Sequence, residues 1–126
     1  MKNFIFKGSV VLILLVLTGY TEKDNMIKNK SFIGAWEFNV PEAPYQYQNG
    51  DIIFVNEEEE LTGYFLVDGF KAELRNLNTQ KRKVNFEVYI QGVTVSFDLT
   101  FKKKSFLGTA SYSEGTLDIS GRKKMD

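Results

Sequence analysis

KVNFEVYIQGVTVSFDLTF, residues Lys83 to Phe101, is the stretch that decides the fold. Val84, Phe86, Val88 and Ile90 alternate with Asn85, Glu87, Tyr89 and Gln91. After Gly92 the pattern resumes, with Val93, Val95, Phe97, Leu99 and Phe101 set against Thr94, Ser96, Asp98 and Thr100. Side chains on a strand point alternately to opposite faces, so each run has one apolar and one wetted face. Gln91-Gly92 supplies the positive φ angles of a tight hairpin turn.

The same period extends in both directions. Gly34 to Val40 places Trp36, Phe38 and Val40 on one face, and Pro41 and Pro44 end it because neither can donate to a ladder. Asp51 to Asn56 is apolar on both faces, as in a strand covered on two sides. Glu57 to Glu60 reads as a solvated hairpin tip and lacks the alternating spacing and glycine of a calcium loop. Leu61 to Val67, the turn Asp68-Gly69 and Phe70 to Leu74 form the next hairpin, with Asn76 to Arg82 as a polar turn. After the central hairpin come Lys102 to Lys104 as a charged turn, Ser105 to Tyr112, a turn at Glu114-Gly115, and Thr116 to Lys124. Gly108 and Ala110 on the inner face of their strand predict a close approach or a sharp bend.

Connections this short force sequential antiparallel neighbours. The expectation is all-β: an up-and-down meander of about eight strands, closed into a small barrel so that no edge is left unpaired. A two-sheet β-sandwich is the alternative.

The 126 residues suffice for one core. Basic and acidic residues number 16 each; setting aside Lys2 and Lys7 in the leader leaves 14 basic against 16 acidic. No clustered basic face marks a nucleic-acid partner. The chain has no Cys and no His. That removes thiol nucleophiles, imidazole acid–base chemistry, Ser-His-Asp triads and Cys/His zinc sites, and leaves stability to apolar packing without disulfides. No metal or cofactor is implied.

Residues 1–20, MKNFIFKGSVVLILLVLTGY, combine Lys2 and Lys7 with an apolar run from Val10 to Leu17. The run is short for a bilayer span, which takes roughly 20 apolar residues, and reads as a signal peptide. Leu17-Thr18-Gly19 resembles the end of a bacterial lipobox, but Tyr20 stands where the lipidated Cys would be, and a phenol forms no thioether. Thr21 to Asp24 is similar to the acidic signal that sends some Gram-negative lipoproteins to the cell surface. The expectation is export to the periplasm, outer membrane or cell surface of a Gram-negative bacterium, with membrane attachment only through an uncleaved leader. Residues 21–31 read as a polar tether, and residues 32–126 as the barrel domain.

Gly34-Ala35-Trp36, with Arg122 near the end of the last strand, resembles the lipocalin (calycin) signature. There the indole crosses the closed end of a barrel and a late Arg or Lys stacks on it, which implies Trp36 and Arg122 as the barrel-closing pair here. The wider runs GAWEFNVPEAPYQYQNGDIIF, LTGYFLVDG, VNFEVYIQG and LGTASYSEGTLDISGRKK are similar to a small lipocalin-like domain of secreted bacterial lipoproteins, usually of unassigned function. The resemblance covers about residues 31–124 and brings no catalytic residues with it.

The loop from Pro41 to Gly50 is the longest connection and holds Tyr45, Gln46, Tyr47 and Gln48. Flat apolar rings with hydrogen-bonding tips suit a small ligand, glycan or lipid, and two prolines stiffen the loop. The expectation is a non-catalytic extracytoplasmic binding module with this loop at the barrel mouth. One alternative is an accessory domain that binds a cell-envelope protein. Another is a carboxylate glycosidase using Glu37, Glu42, Glu87 or Asp98, three of which point away from the apolar face.

Overall fold

Alternation becomes a hydrogen-bonded ladder along almost the whole described chain. The computed structural model describes residues 30–124; the expected leader, residues 1–20, and nearly all of the expected tether lie outside the described residues. The strands are β1 (Gly34–Asn39), β2 (Asn49–Glu57), β3 (Glu60–Val67), β4 (Phe70–Glu73), β5 (Arg75–Gln80), β6 (Lys83–Ile90), β7 (Val93–Lys102), β8 (Ser105–Tyr112) and β9 (Gly115–Lys123). They form one antiparallel sheet in the order β4-β3-β2-β1-β9-β8-β7-β6-β5. The first and last strands meet, with Trp36 opposite Lys123 and Glu37 opposite Arg122. This single rolled sheet replaces the sandwich alternative.

The two ends of the sheet order, β4 and β5, are consecutive in the chain and separated by Leu74 alone. The Leu74 N–H donates to the Gly63 carbonyl at 3.0 Å. A register shift follows between Arg75 and Asn78, and Asn76 takes φ +53°. The chain thus crosses from β3 to β6 through one bulged strand, which nearly closes the barrel. Residues 76–82, expected as a turn, are therefore mostly β5, and the strand count is nine rather than eight. Leu77 is the sole apolar residue of β5, so its strand conformation rests on the ladder with β6 and not on its own pattern.

Three hairpins close through two-residue turns with both φ angles positive. They are Glu58-Glu59 (+52°, +67°), Asp68-Gly69 (+49°, +76°) and Gln91-Gly92 (+49°, +84°). These turns match the strand twist. The first places two glutamates where Asn and Gly are the easier residues.

The inward side chains fill the lower barrel with rings. Phe38 stacks on Phe65 at 4.9 Å, Phe65 meets Phe97 at 5.2 Å, and Phe97 stacks on Phe86 at 5.1 Å. Phe54 links Phe86 to Phe101, which meets Trp36 edge-on at 4.7 Å. Glycine makes room for this packing. Gly121 lies between Phe106 and Phe38 in adjacent strands, and a Cβ there would overlap the Phe106 ring. At Gly108 a Cβ would overlap the Asp98 carbonyl, so β7 and β8 approach closely there.

Trp36 is 0% exposed, and its Nε1–H donates to the Phe32 carbonyl at 2.9 Å. The cation above its ring is Lys123, with Nζ 5.6 Å from the centroid. Arg122 does not stack on Trp36. It faces outward, 79% exposed, with Nε 3.4 Å from Glu37 Oε1. The reason is parity: Leu117 and Ile119 face inward on β9, which puts Lys123 on their side and Arg122 on the other. Trp36→Ala is expected to cost about 3–5 kcal/mol in urea unfolding, as a buried aromatic truncation. Lys123→Ala should redden the Trp36 emission, whereas Arg122→Ala should leave it unchanged; the reverse pattern would restore the Arg122 pairing.

Candidate functional site

An up-and-down barrel sorts its turns by end. The turns after β2, β5 and β7 lie at the end where β1 begins, here the base. The β1–β2 loop and the turns after β3, β6 and β8 lie at the other end, here the mouth. The base carries Glu57 to Glu60, Lys81 to Lys83 and Lys102 to Lys104 on its turns. The mouth carries Asp68-Gly69, Gln91-Gly92, Ser113-Glu114 and the long loop.

The rings stop short of the mouth and leave a hollow of about 360 Å³. Phe38, Phe65 and Phe97 form its floor, and all three are buried. Ile90, Val93, Val95, Ala110 and Leu117 form one wall, and Val40, Ala43, Pro44 and Tyr47 the other. The polar lining is confined to Gln91, Tyr112 and Glu114 with the Tyr47 hydroxyl. No polar or charged residue is buried among the described residues. Such a lining binds by removing apolar surface from water, with orientation left to the rim.

The long loop is a strap held by its own hydrogen bonds. The Val40 N–H donates to Gln48 O at 2.7 Å across its neck. One turn of 3₁₀ helix spans Tyr45–Tyr47, with the Tyr47 N–H donating to Pro44 O at 2.8 Å. Gln48 Nε2 donates to Ala43 O at 3.1 Å and to Pro41 O at 3.3 Å. The four residues singled out in the sequence therefore separate. Tyr47 packs on the core and lines the hollow. Gln48 spends its amide on the strap, while Tyr45, 88% exposed, and Gln46 face solvent outside the hollow.

Alternation alone misses Ile90, Val93, Val95, Tyr112 and Leu117 as a group, because it gives their face but not their end of the barrel. The signal available was the turns: Ile90 and Val93 flank Gln91-Gly92 directly, where the base turns are flanked by charge.

The carboxylates do not converge on the hollow. Glu37 pairs with Arg122 on the outer wall. Glu87 accepts from Asn76 Nδ2 at 2.9 Å and lies with exposed Asp98 on the outside of β6 and β7. Glu42 is exposed on the strap. On the outer wall Lys124 Nζ lies 2.7 Å from Asp51 Oδ2, and that hydrogen bond holds the ammonium above its ordinary pKa. The groove containing Glu37 and Arg122, about 830 Å³, runs over β1, β2, β8 and β9. It is larger than the hollow at the mouth, and its lining mixes the charged Glu37, Asp51 and Arg122 with the polar Asn39, Asn49, Ser105 and Ser120.

No family model matches the chain, and no curated protein matches it. Among solved structures, a redesigned β-barrel is similar, with a TM-score of 0.54 at 12% identity over 79% of this chain and 96% of that one. A point mutant of the fluorescent protein UnaG gives a TM-score of 0.49 at 10% identity, over 77% of this chain and 99% of that one. At such identity the likeness to the redesigned barrel is one of fold, and the fold is a β-barrel.

The strap geometry gives a direct expectation. Gln48→Ala removes two side-chain hydrogen bonds and should cost about 1–2 kcal/mol, with faster amide exchange from Pro41 to Gln48. Tyr45→Ala should leave stability within about 0.5 kcal/mol. A costly Tyr45→Ala would show that this ring is part of the packing.

Proposed function

We propose that the domain is a non-catalytic binding module that takes a small, largely apolar ligand through the mouth. The observation that carries this reading is the hollow itself: an apolar-walled space of about 360 Å³ above a solid aromatic floor. Its size matches pockets that enclose small molecules. Burying ligand surface there gains roughly 25 cal/mol per Å² of apolar area before association costs. A glycan fits this chemistry less well than a lipid-like molecule, because its hydroxyls would find partners only at the rim.

The setting in this reading is extracytoplasmic. Its support is the leader sequence and the likeness of residues 31–124 to lipocalin-like domains of secreted lipoproteins. Tyr20 leaves that chain without a thioether anchor. Labelled fatty acid should enter the Tyr20→Cys variant and not the parent; label in the parent, or in neither, defeats the lipobox reading.

Binding is tested with N-phenylnaphthylamine, an uncharged dye that brightens in apolar surroundings, titrated into the full chain. Val93 stands at the rim, 39% exposed, and lines the hollow. Val93→Asp should weaken dye binding at least about tenfold, or 1.4 kcal/mol, with little change in unfolding midpoint. Equal binding by parent and variant places the dye elsewhere and removes the mouth as the site.

A further inference from the structure

The mouth has a sign. Among the described residues, Glu114 is the one formally charged residue that lines the hollow. The other charges on the mouth turns are Glu42 and Asp68, so every charge there is acidic. Residues 40–48, 68–69, 91–92 and 113–114 contain no Lys or Arg. Lys71 is the nearest basic residue along the chain; it projects from the outer wall, with Nζ 4.2 Å from the Tyr64 ring centroid. The basic turns, Lys81 to Lys83 and Lys102 to Lys104, are at the opposite end of the barrel.

From this arrangement, and resting on the binding function argued above, we propose that the mouth selects an apolar ligand with an ammonium head group over one with a carboxylate. The apolar part would lie against Phe38, Phe65 and Phe97. The head would remain at the rim, where Tyr47, Tyr112 and Glu114 line the same opening. A tyrosine face attracts a cation through its ring quadrupole, and a carboxylate beside it adds direct charge attraction. A fatty-acid head would meet the opposite situation. It would lose water next to Glu114, with no guanidinium or ammonium on the mouth turns among the described residues to compensate. Glu114 is exposed on the β8–β9 turn, so changing it alters the sign of the rim with little cost to the fold.

Octyltrimethylammonium, octanol and octanoate share one apolar tail and differ in head charge. Each is titrated below its aggregation threshold into the full chain, with binding read from the side-chain resonances of Ile90, Val93, Tyr112 and Leu117. The ammonium should bind at least about tenfold tighter than octanoate, with octanol between them. Glu114→Gln should shrink the ratio several-fold, and Glu114→Lys should invert it, each ratio being read against the octanol affinity of the same protein. Octanol binding at these residues together with octanoate equal to or tighter than the ammonium overturns the charge selection alone. A preference that survives Glu114→Lys overturns the role given to this rim. If none of the three moves these resonances, the mouth is no ligand site and the binding function itself fails.

Discussion

The ring contacts from Phe38 through Phe65, Phe97, Phe86, Phe54 and Phe101 to Trp36 determine where this barrel is solid and where it is open. With no Cys to cross-link the chain, packing has to hold the rolled sheet together. An interior of about eight strands is just wide enough for side chains to fill. Rings fill it with few rotatable bonds, and tilted pairs add to the area term. They also demand space from the walls, which Gly121 provides beside Phe106. The base is sealed by Trp36, whose indole N–H is satisfied by the Phe32 carbonyl, so the seal leaves no polar group stranded.

Much of this was legible in the sequence because period two is a local property. The inward faces of β6 and β7 follow from Lys83 to Phe101 alone, and Asp68-Gly69 and Gln91-Gly92 are turns wherever those strands go. β5 was not legible, since Leu77 is its only apolar residue and its partner β6 supplies the ladder. The Arg122 error is instructive in a different way. Leu117 and Ile119 are the apolar residues of β9, and two steps of the same alternation from Ile119 reach Lys123. A remote likeness outweighed a rule that the residues themselves stated. On the strap the rule had nothing to say. Whether Tyr45 or Tyr47 turns inward depends on one turn of 3₁₀ helix, and Gln48 looks like a ligand contact until its amide is found closing the loop.

The mouth residues were legible as inward but not as neighbours. Assembling them takes one further step, which is to follow strand direction. Along β1, Trp36 and Phe38 precede Val40, the residue just past its end, on the way to the mouth, and in β7 Val93 and Val95 precede Phe97 and Phe101 on the way to the base. β8 runs from Phe106 at the base to Ala110 near the mouth, and β6 from Phe86 to Ile90. Each of these strands carries a buried phenylalanine or tryptophan ring toward the base and an aliphatic or small side chain nearer the mouth, with Tyr112 of β8 left at the rim. The strands alternate in direction, so the same taper is written forwards in three of them and backwards in the fourth. A gradient that reverses with strand polarity is a property of the assembled barrel and not of any one segment. It places bulk where the sheet is sealed and leaves the far end under-filled. That under-filled end is also where the basic turns are absent, so the space and its sign have one origin in the order of residues along antiparallel strands.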